Sequence, residues 1–225
     1  MNNRYAVILA GGRGERFWPQ SRLHRPKHLL PIVNDTPLLR QTVDRLGDLI
    51  PLKNIYILTN RSQRKSVLKI CPQLSSQQVI GEPLGRDTAA ATGLATLIIK
   101  NRDPDGVFAM LASDHIIHNT AQFQADLNVA FKTAESEESL VTIGIKPTNP
   151  STGYGYIQRG KVKKEISGKT IYHVTRFVEK PNLETAKTYL QSDEYYWNSS
   201  MFVWQVHVIV DALSSHQSQL WEVFK

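Results

Sequence analysis

The chain of 225 residues contains a single cysteine, Cys71, so no intramolecular disulfide can form and no cysteine-built zinc cage exists. That scarcity fits a reducing compartment. No segment approaches the ~20 apolar residues of a membrane span. The first apolar run, Ala6–Ala10, is too short for a signal-peptide core followed by a cleavage site. A cytoplasmic location with no membrane partner is therefore expected. Low-complexity linkers and internal repeats are absent too. Hydrophobic residues at 41% and charged ones at 21% match ordinary globular proteins, which excludes long disorder, collagen and coiled coil. A chain of this size buries roughly 70% of its unfolded surface and needs no disulfide or metal to fold.

Acidic residues are in deficit: 20 Asp and Glu stand against 27 Lys and Arg, a net charge of +7. A basic balance favours polyanionic partners without naming them. Its distribution says more, because Arg13, Arg16, Arg22, Arg25 and Lys27 crowd one loop-like segment against the lone acid Glu15. No aromatic-interleaved basic stripe or nucleic-acid motif occurs, so nucleic acid is not the expected partner.

Short apolar runs alternate with helix-period stretches. Strands are expected at Tyr5–Ala10, Ile55–Thr59, Val79-Ile80, Val107–Ala112 and Leu140–Ile145. Between them lie a helix from Leu38 through Ile50, capped by Thr36 with Pro37 in its first turn, and a basic helix at Ser62–Ile70. Further helices span Ala89–Lys100, capped by Asp87 or Thr88, and Phe123–Ala134. Dry strands separated by helices argue for an α/β fold: a Rossmann-like, mostly parallel sheet with helices on both faces. After Pro147 the texture turns β-rich, with Tyr156–Arg159, Lys161–Ile166 and Ile171–Val178 reading as hairpin strands. A helix near Leu183–Leu190 and a strand at Met201–Val206 follow. One domain over 1–225 is expected, its halves 1–146 and 147–225.

Ligands bind beyond the carboxyl ends of such strands, and the loops at Gly11–Lys27, Glu82–Thr88 and Asp114-His115 all follow strand ends. The run Leu9-Ala10-Gly11-Gly12-Arg13-Gly14-Glu15-Arg16 is a glycine-rich turn of the kind that brings backbone N–H groups close to an anion. It is not the dinucleotide pattern, since Phe17 stands where a third glycine belongs, and no phosphate-loop Gly-Lys-Ser/Thr occurs.

The turn continues through Arg16-Phe17-Trp18-Pro19 to Arg25-Pro26-Lys27, and the whole resembles the signature of the sugar-nucleotide pyrophosphorylases, a nucleotidyltransferase family. Five more segments sharpen the resemblance toward its mannose-1-phosphate guanylyltransferase branch. They are Glu82–Ala90, Ser113-Asp114-His115, Pro147–Ile157, Phe177–Pro181 and Tyr196–Phe202. The resemblance implies the nucleotide-diphospho-sugar transferase fold and a reaction between GTP and mannose 1-phosphate yielding GDP-mannose and pyrophosphate. It implies Mg²⁺ as cofactor, with Asp114 as metal ligand, and Arg16, Lys27 and Asp114 as catalytic residues. Leu9, Ala10, Gly11, Gly12 and Gly14 would hold nucleotide, with Glu82, Gly85, Asp87 and Thr88 around the base. Gly153, Gly155, Glu179, Lys180 and Asn198 would hold the sugar phosphate, and His115 takes no catalytic role. A homodimer is left open.

Two departures stand out. Ser200 occupies a position usually glycine in that branch, where a left-handed backbone would cost serine about 1 kcal/mol. The family's catalytic domains also continue past residue 225 and place a second acidic metal ligand there, so a shortened chain is expected. Another sugar 1-phosphate, or an impaired homologue that only binds nucleotide, remains open at this point.

Overall fold

The computed structural model describes residues 3–12, 17–22, 25–82 and 88–224. Its first half runs β1 (Arg4–Ala10), α1 (Leu38–Asp44), β2 (Ile55–Asn60), α2 (Arg64–Ile70), β3 (Val79–Glu82), α3 (Thr88–Arg102), β4 (Val107–Ala112), α4 (Thr120–Ser136). Alternate side chains of β1 go to opposite faces, and both sets are apolar: Ala6, Ile8 and Ala10 on one, Tyr5 and Val7 on the other. A strand dry on both faces needs a neighbour on each edge and cover on each side. β2 and β4 pair with it in parallel, and β3 extends the sheet beyond β2. Leu39, Val43, Val67, Leu127 and Phe131 of α1, α2 and α4 cover one face, while Ala95 and Ile99 of α3 cover the other.

The second half runs β5 (Val141–Ile145), β6 (Tyr156–Ile166), β7 (Lys169–Val178), α5 (Leu183–Ser192), β8 (Tyr195–Gln205), α6 (Val206–His216), α7 (Ser218–Glu222). The sheet continues in the order β3-β2-β1-β4-β8-β6-β7, with β5 also on β8. Every pairing beyond β4 is antiparallel. β8 joins the halves through pairs such as Met110↔Phe202 and Phe108↔Trp204. Ile209, Leu213 and Trp221 of α6 and α7 complete the cover over α3's face. β6 and β7 meet at Ser167 (φ 51°) and Gly168 (φ 73°), two left-handed residues that suit a tight hairpin turn. No helix among the described residues is long and apolar enough to cross a membrane.

The expected α/β class is what the chain adopts, with differences in its parts. The helix expected through Ile50 stops at Asp44, because Gly47 adopts φ 49° and the chain tightens into a short 3₁₀ turn at Gly47–Leu49. Leu46 and Ile50 stay fully buried even so. Thr36 does not cap α1; its carbonyl instead accepts from Gln41 Nε2 at 2.7 Å. β6 passes through Gly160 without a break, the irregularity appearing as register shifts against β7. β8 starts at Tyr195, well before the expected Met201, and Val206 turns into α6.

The seam between the halves sets a test. Phe108 is fully buried and packs edge-on against Trp204 at 5.8 Å between ring centroids. Phe108→Ala should cost about 3–5 kcal/mol of unfolding free energy in a denaturant titration.

Candidate active site

The order of strands reverses at β1. From it the chain builds outward through β2 and β3, then crosses back through α3 to place β4 on the opposite edge. β2 and β4 thus lie on opposite edges of β1, and such a switch point opens a crevice at the carboxyl ends of the strands. The backbone closes its floor: Ser113 N donates to Leu9 O at 3.2 Å, and Asp114 follows at the rim.

Lys27 reaches the same rim. It begins a 3₁₀ turn directly after Pro26, whose φ of −68° sets the chain's entry. Its Nζ donates to Asp114 Oδ2 at 3.0 Å and to Asp114 O at 3.3 Å, and lies 5.1 Å over the Phe17 ring. The two side chains remain 25% and 41% exposed, so solvent reaches the pair and another ligand can compete for either member. The peptide units flanking Asp114 are held from α1's side. Thr42 Oγ1 lies 3.5 Å from Ser113 O, and Arg45, itself buried, donates Nη2 to His115 O at 3.1 Å.

Two histidines border this corner, and burial lowers the pKa of both. Burial pushes His28 down from 6.5 to about 4, against the opposing pull of Asp114 and a bond to Gln63. Burial likewise lowers His115, with Asp114 pulling it back and Arg45 and Lys27 adding to the depression. His115 offers its backbone carbonyl to Arg45, and no catalytic role is needed to account for it.

A second group of side chains gathers where β1, β2 and β3 end. Asn60 Nδ2 donates to Gly11 O at 2.9 Å, and Thr59 Oγ1 donates to Ala10 O at 2.8 Å. Glu82 leans across from β3, its Oε2 only 3.4 Å from where a Cβ on Gly11 would stand. Burial raises the Glu82 carboxyl above the usual carboxylate range. Gly12 has open space around it. Thr88 opens α3, exposed, with its carbonyl accepting from Thr92 Oγ1.

The third group lies on the β-rich half. A Cβ on Gly155 would come within 3.0 Å of Glu179 Oε2 and 3.6 Å of Asn198 Cβ, so this glycine is what lets the two side chains converge. Asn198 N donates to Gly155 O at 2.8 Å. Lys180, at φ 38°, pairs through Nζ with Glu179 Oε1 at 2.6 Å; both are well exposed. Gly153 sits apart, its N–H on Ser151 Oγ. The antiparallel register Met110↔Phe202 carries Asn198 past the carboxyl end of β4, the same end at which Asp114 stands. Arg16, Gly14, Gly85 and Asp87, together with Arg13, lie outside the described residues.

The profile of the Nucleotidyl transferase family matches residues 5–225. The chain belongs to the nucleotidyl transferase family. It is 39% identical over 220 residues to a mannose-1-phosphate guanylyltransferase of Escherichia coli strain K12 and 42% identical over 218 residues to one of Klebsiella pneumoniae. Each alignment covers 96% of this nucleotidyl transferase chain but 46% of the relative, so the chain spans about half the length of those proteins. Among solved structures, a Thermus thermophilus protein described as a mannose-1-phosphate geranyltransferase superposes with a TM-score of 0.88 at 32% identity. That match covers 100% of this chain and 63% of the other. A putative glucose-1-phosphate thymidylyltransferase of Bacillus anthracis, 19% identical with a TM-score of 0.68, shares the fold; that match covers 97% of this chain and 78% of the other.

Sequence reasoning missed the supporting residues of this nucleotidyl transferase. Asn60 ends a parallel strand, the position that marked Gly11 and Asp114, and applying that rule to β2 would have found it. Thr42, Arg45 and His28 carry no such signal, since only the packing of α1 and the 3₁₀ turn brings them to the crevice.

Two outcomes are expected. Ser200 holds φ 55°, and its N–H caps onto Asn198 Oδ1 at 2.9 Å. Ser200→Gly should therefore raise unfolding free energy by about 1 kcal/mol by relieving the left-handed strain. His28 supplies a pH effect. Its folded pKa lies below its unfolded value, so its contribution is complete above pH 6.5 and is lost as pH falls toward about 4. Chemical unfolding along that window should show a loss of roughly 3 kcal/mol that His28→Gln removes.

Proposed function

We propose that this chain catalyses guanylyl transfer, joining GTP to mannose 1-phosphate with release of pyrophosphate. The observation that carries the reading is the Lys27–Asp114 contact at the switch point. It occurs in a chain 39–42% identical to proteins of that name. A phosphate oxygen of the sugar phosphate attacks the α-phosphorus of GTP; a new P–O bond forms as the bond to the β-phosphate oxygen breaks. The attacking group is already an anion near neutral pH, so the chain needs no general base. Its work is to position two anions against each other and to neutralise the charge that builds between them.

The residues divide that work. Lys27 brings its ammonium to the α-phosphate, and Arg16 does the same for the leaving pyrophosphate. Leu9, Ala10, Gly11, Gly12 and Gly14 present the glycine turn to the triphosphate. Glu82, half-buried, accepts from guanine's N1–H and exocyclic amine, with Gly85, Asp87 and Thr88 closing around the base. Lys180 holds the sugar phosphate, while Glu179 and Asn198 bond hexose hydroxyls that approach over Gly153 and Gly155. The 1–146 half thus serves the nucleotide and 147–225 the sugar.

Asp114 suits Mg²⁺. No cluster of three or more His, Cys, Asp or Glu that could hold a metal exists among the described residues. Mg²⁺ asks for little from the protein, one or two carboxylates with phosphate oxygens supplying the rest. Asp114, partly exposed at the crevice rim, meets that requirement. The bound ion would add charge neutralisation at the phosphates.

Pyrophosphate release with Mg²⁺ and mannose 1-phosphate, compared across GTP, ATP, UTP and dTTP, tests the reading. GTP should be preferred, and Lys27→Ala or Asp114→Asn should lower turnover by about 100-fold or more with the fold intact. Equal use of the four nucleotides, or full activity in Lys27→Ala, would sink it.

A further inference from the structure

A cleft of about 600 Å³ lies between α4, β5 and the β6–β7 hairpin, and none of the residues assigned to GTP or sugar phosphate lines it. The fold builds this cleft for identifiable reasons. Three register shifts, between Gln158 and Lys164, bend the hairpin away from a flat ladder. Ties then fix the bent hairpin against α4. Lys169 pairs with Asp126 at 2.9 Å, Lys132 Nζ donates to Ser167 Oγ at 3.3 Å, and Lys163 and Lys164 both reach Glu137 just past the helix. The walls are held at a set spacing instead of collapsing onto each other. α5 packs on another part of this half of the sheet, through Ala186 and Tyr189 against Tyr156 and Tyr195. Val141, Ile143 and Ile171 therefore keep only partial cover.

The chemistry of the lining is two-sided. Val129, Ala130, Ile143, Ile157 and Ile171 give it an apolar floor, and the charged side chains at its edge are Lys146, Arg159, Lys163, Lys169 and the single acid Asp126. Three of the cations are spoken for: Lys146 by Asp193 at 2.9 Å, Lys163 by Glu137, Lys169 by Asp126. Arg159 makes no ion pair among the described residues. Its guanidinium lies 4.9 Å over the Tyr172 ring and near enough to Asp193 to add to Lys146 in lowering that carboxyl; its one hydrogen bond among the described residues is from Nε to Asp193 O at 3.3 Å. An arginine stacked on an aromatic face with its terminal N–H groups uncommitted presents a planar fork matched to phosphate, carboxylate or sulfonate.

We propose that this cleft is a second binding site, for a small amphipathic anion whose apolar or aromatic body lies on the Ile157–Ile171 floor and whose anionic group meets Arg159. Its volume falls within the range of small-molecule pockets. The excess of positive charge disfavours cationic ligands. A polyphosphate or sugar phosphate would leave the apolar floor uncovered. Tyr196 belongs to the wall, two residues before Asn198, so an occupant touches the strand that carries the sugar-side asparagine. The proposal does not depend on the guanylyl-transfer reading.

Anilinonaphthalene sulfonate, an aromatic body with one sulfonate, is a suitable probe. Its fluorescence should rise saturably on titration with the chain, to one site per molecule, and excess GTP with mannose 1-phosphate should leave the signal unchanged. Arg159→Glu should weaken binding by about tenfold or more, while Arg159→Lys retains most of it. Ile171→Asp should weaken it independently through the floor. Thermal midpoints and near-ultraviolet circular dichroism, measured on each variant, separate a lost site from a lost fold. Displacement of the probe by GTP would overturn the proposal. So would unchanged affinity in well-folded Arg159→Glu, or a signal that vanishes as sedimentation shows two chains associating over the cleft.

Discussion

The candidate site depends on one constraint: β1 is dry on both faces and hydrogen-bonded along both edges. Such a strand can sit only in the middle of a sheet with helices above and below. Because the chain extends the sheet first on one side of β1 and then on the other, its carboxyl end lies at a topological switch point. Leu9, Asp114 and Lys27 meet there because the hydrophobic effect fixes the strands and leaves their ends free. The polar residues do not stabilise this meeting so much as inherit it. An exposed pair such as Lys27–Asp114 contributes little to folding by itself.

The antiparallel half solves a different problem. Gly155, Glu179 and Asn198 converge in the same sheet as the turn at Gly11 and Gly12, yet they are encoded more than 100 residues away from it. β8 supplies the bridge by pairing with β4 at its carboxyl end and with β6 at its amino end, while β5 pairs with it at both. Between the two ends it bulges at Ser199–Met201 opposite Ile143, with Ser199 Oγ donating to the Ile143 carbonyl and Ser200 left-handed. The bulge redirects the strand, and Asn198 stands just before it.

Much of this was readable in advance, for physical reasons that differ by element. β1, β2 and β4 are short apolar runs in which burial on both faces leaves no other reading. Lys27 and Asp114 were legible because loops after parallel strands must face the crevice, and because their flanking residues resemble a known signature. β8 was only half visible. Tyr195–Asn198 pairs through backbone groups while its side chains stay mixed in character, so no apolar run betrays it. The end of α1 was missed because the left-handed turn at Gly47 is set by α4, whose Gln124 packs against it. Gln124 Nε2 also donates to Arg45 O at 2.8 Å, a tie 79 residues apart in sequence. Arg45 and His28 were invisible for the same reason: their roles come from tertiary packing.

The contact between Lys27 and Asp114 is also a small thermodynamic device. Without ligands, each charge serves as the other's counterion. An anion that takes Lys27 leaves a bare carboxylate, which raises the affinity of the rim for a cation. A cation that takes Asp114 releases the ammonium and raises the affinity for an anion. By reciprocity the two effects are equal in free energy. Two ligands of opposite sign competing for this 3.0 Å contact would thereby act as positive effectors of one another, with no change in the fold required.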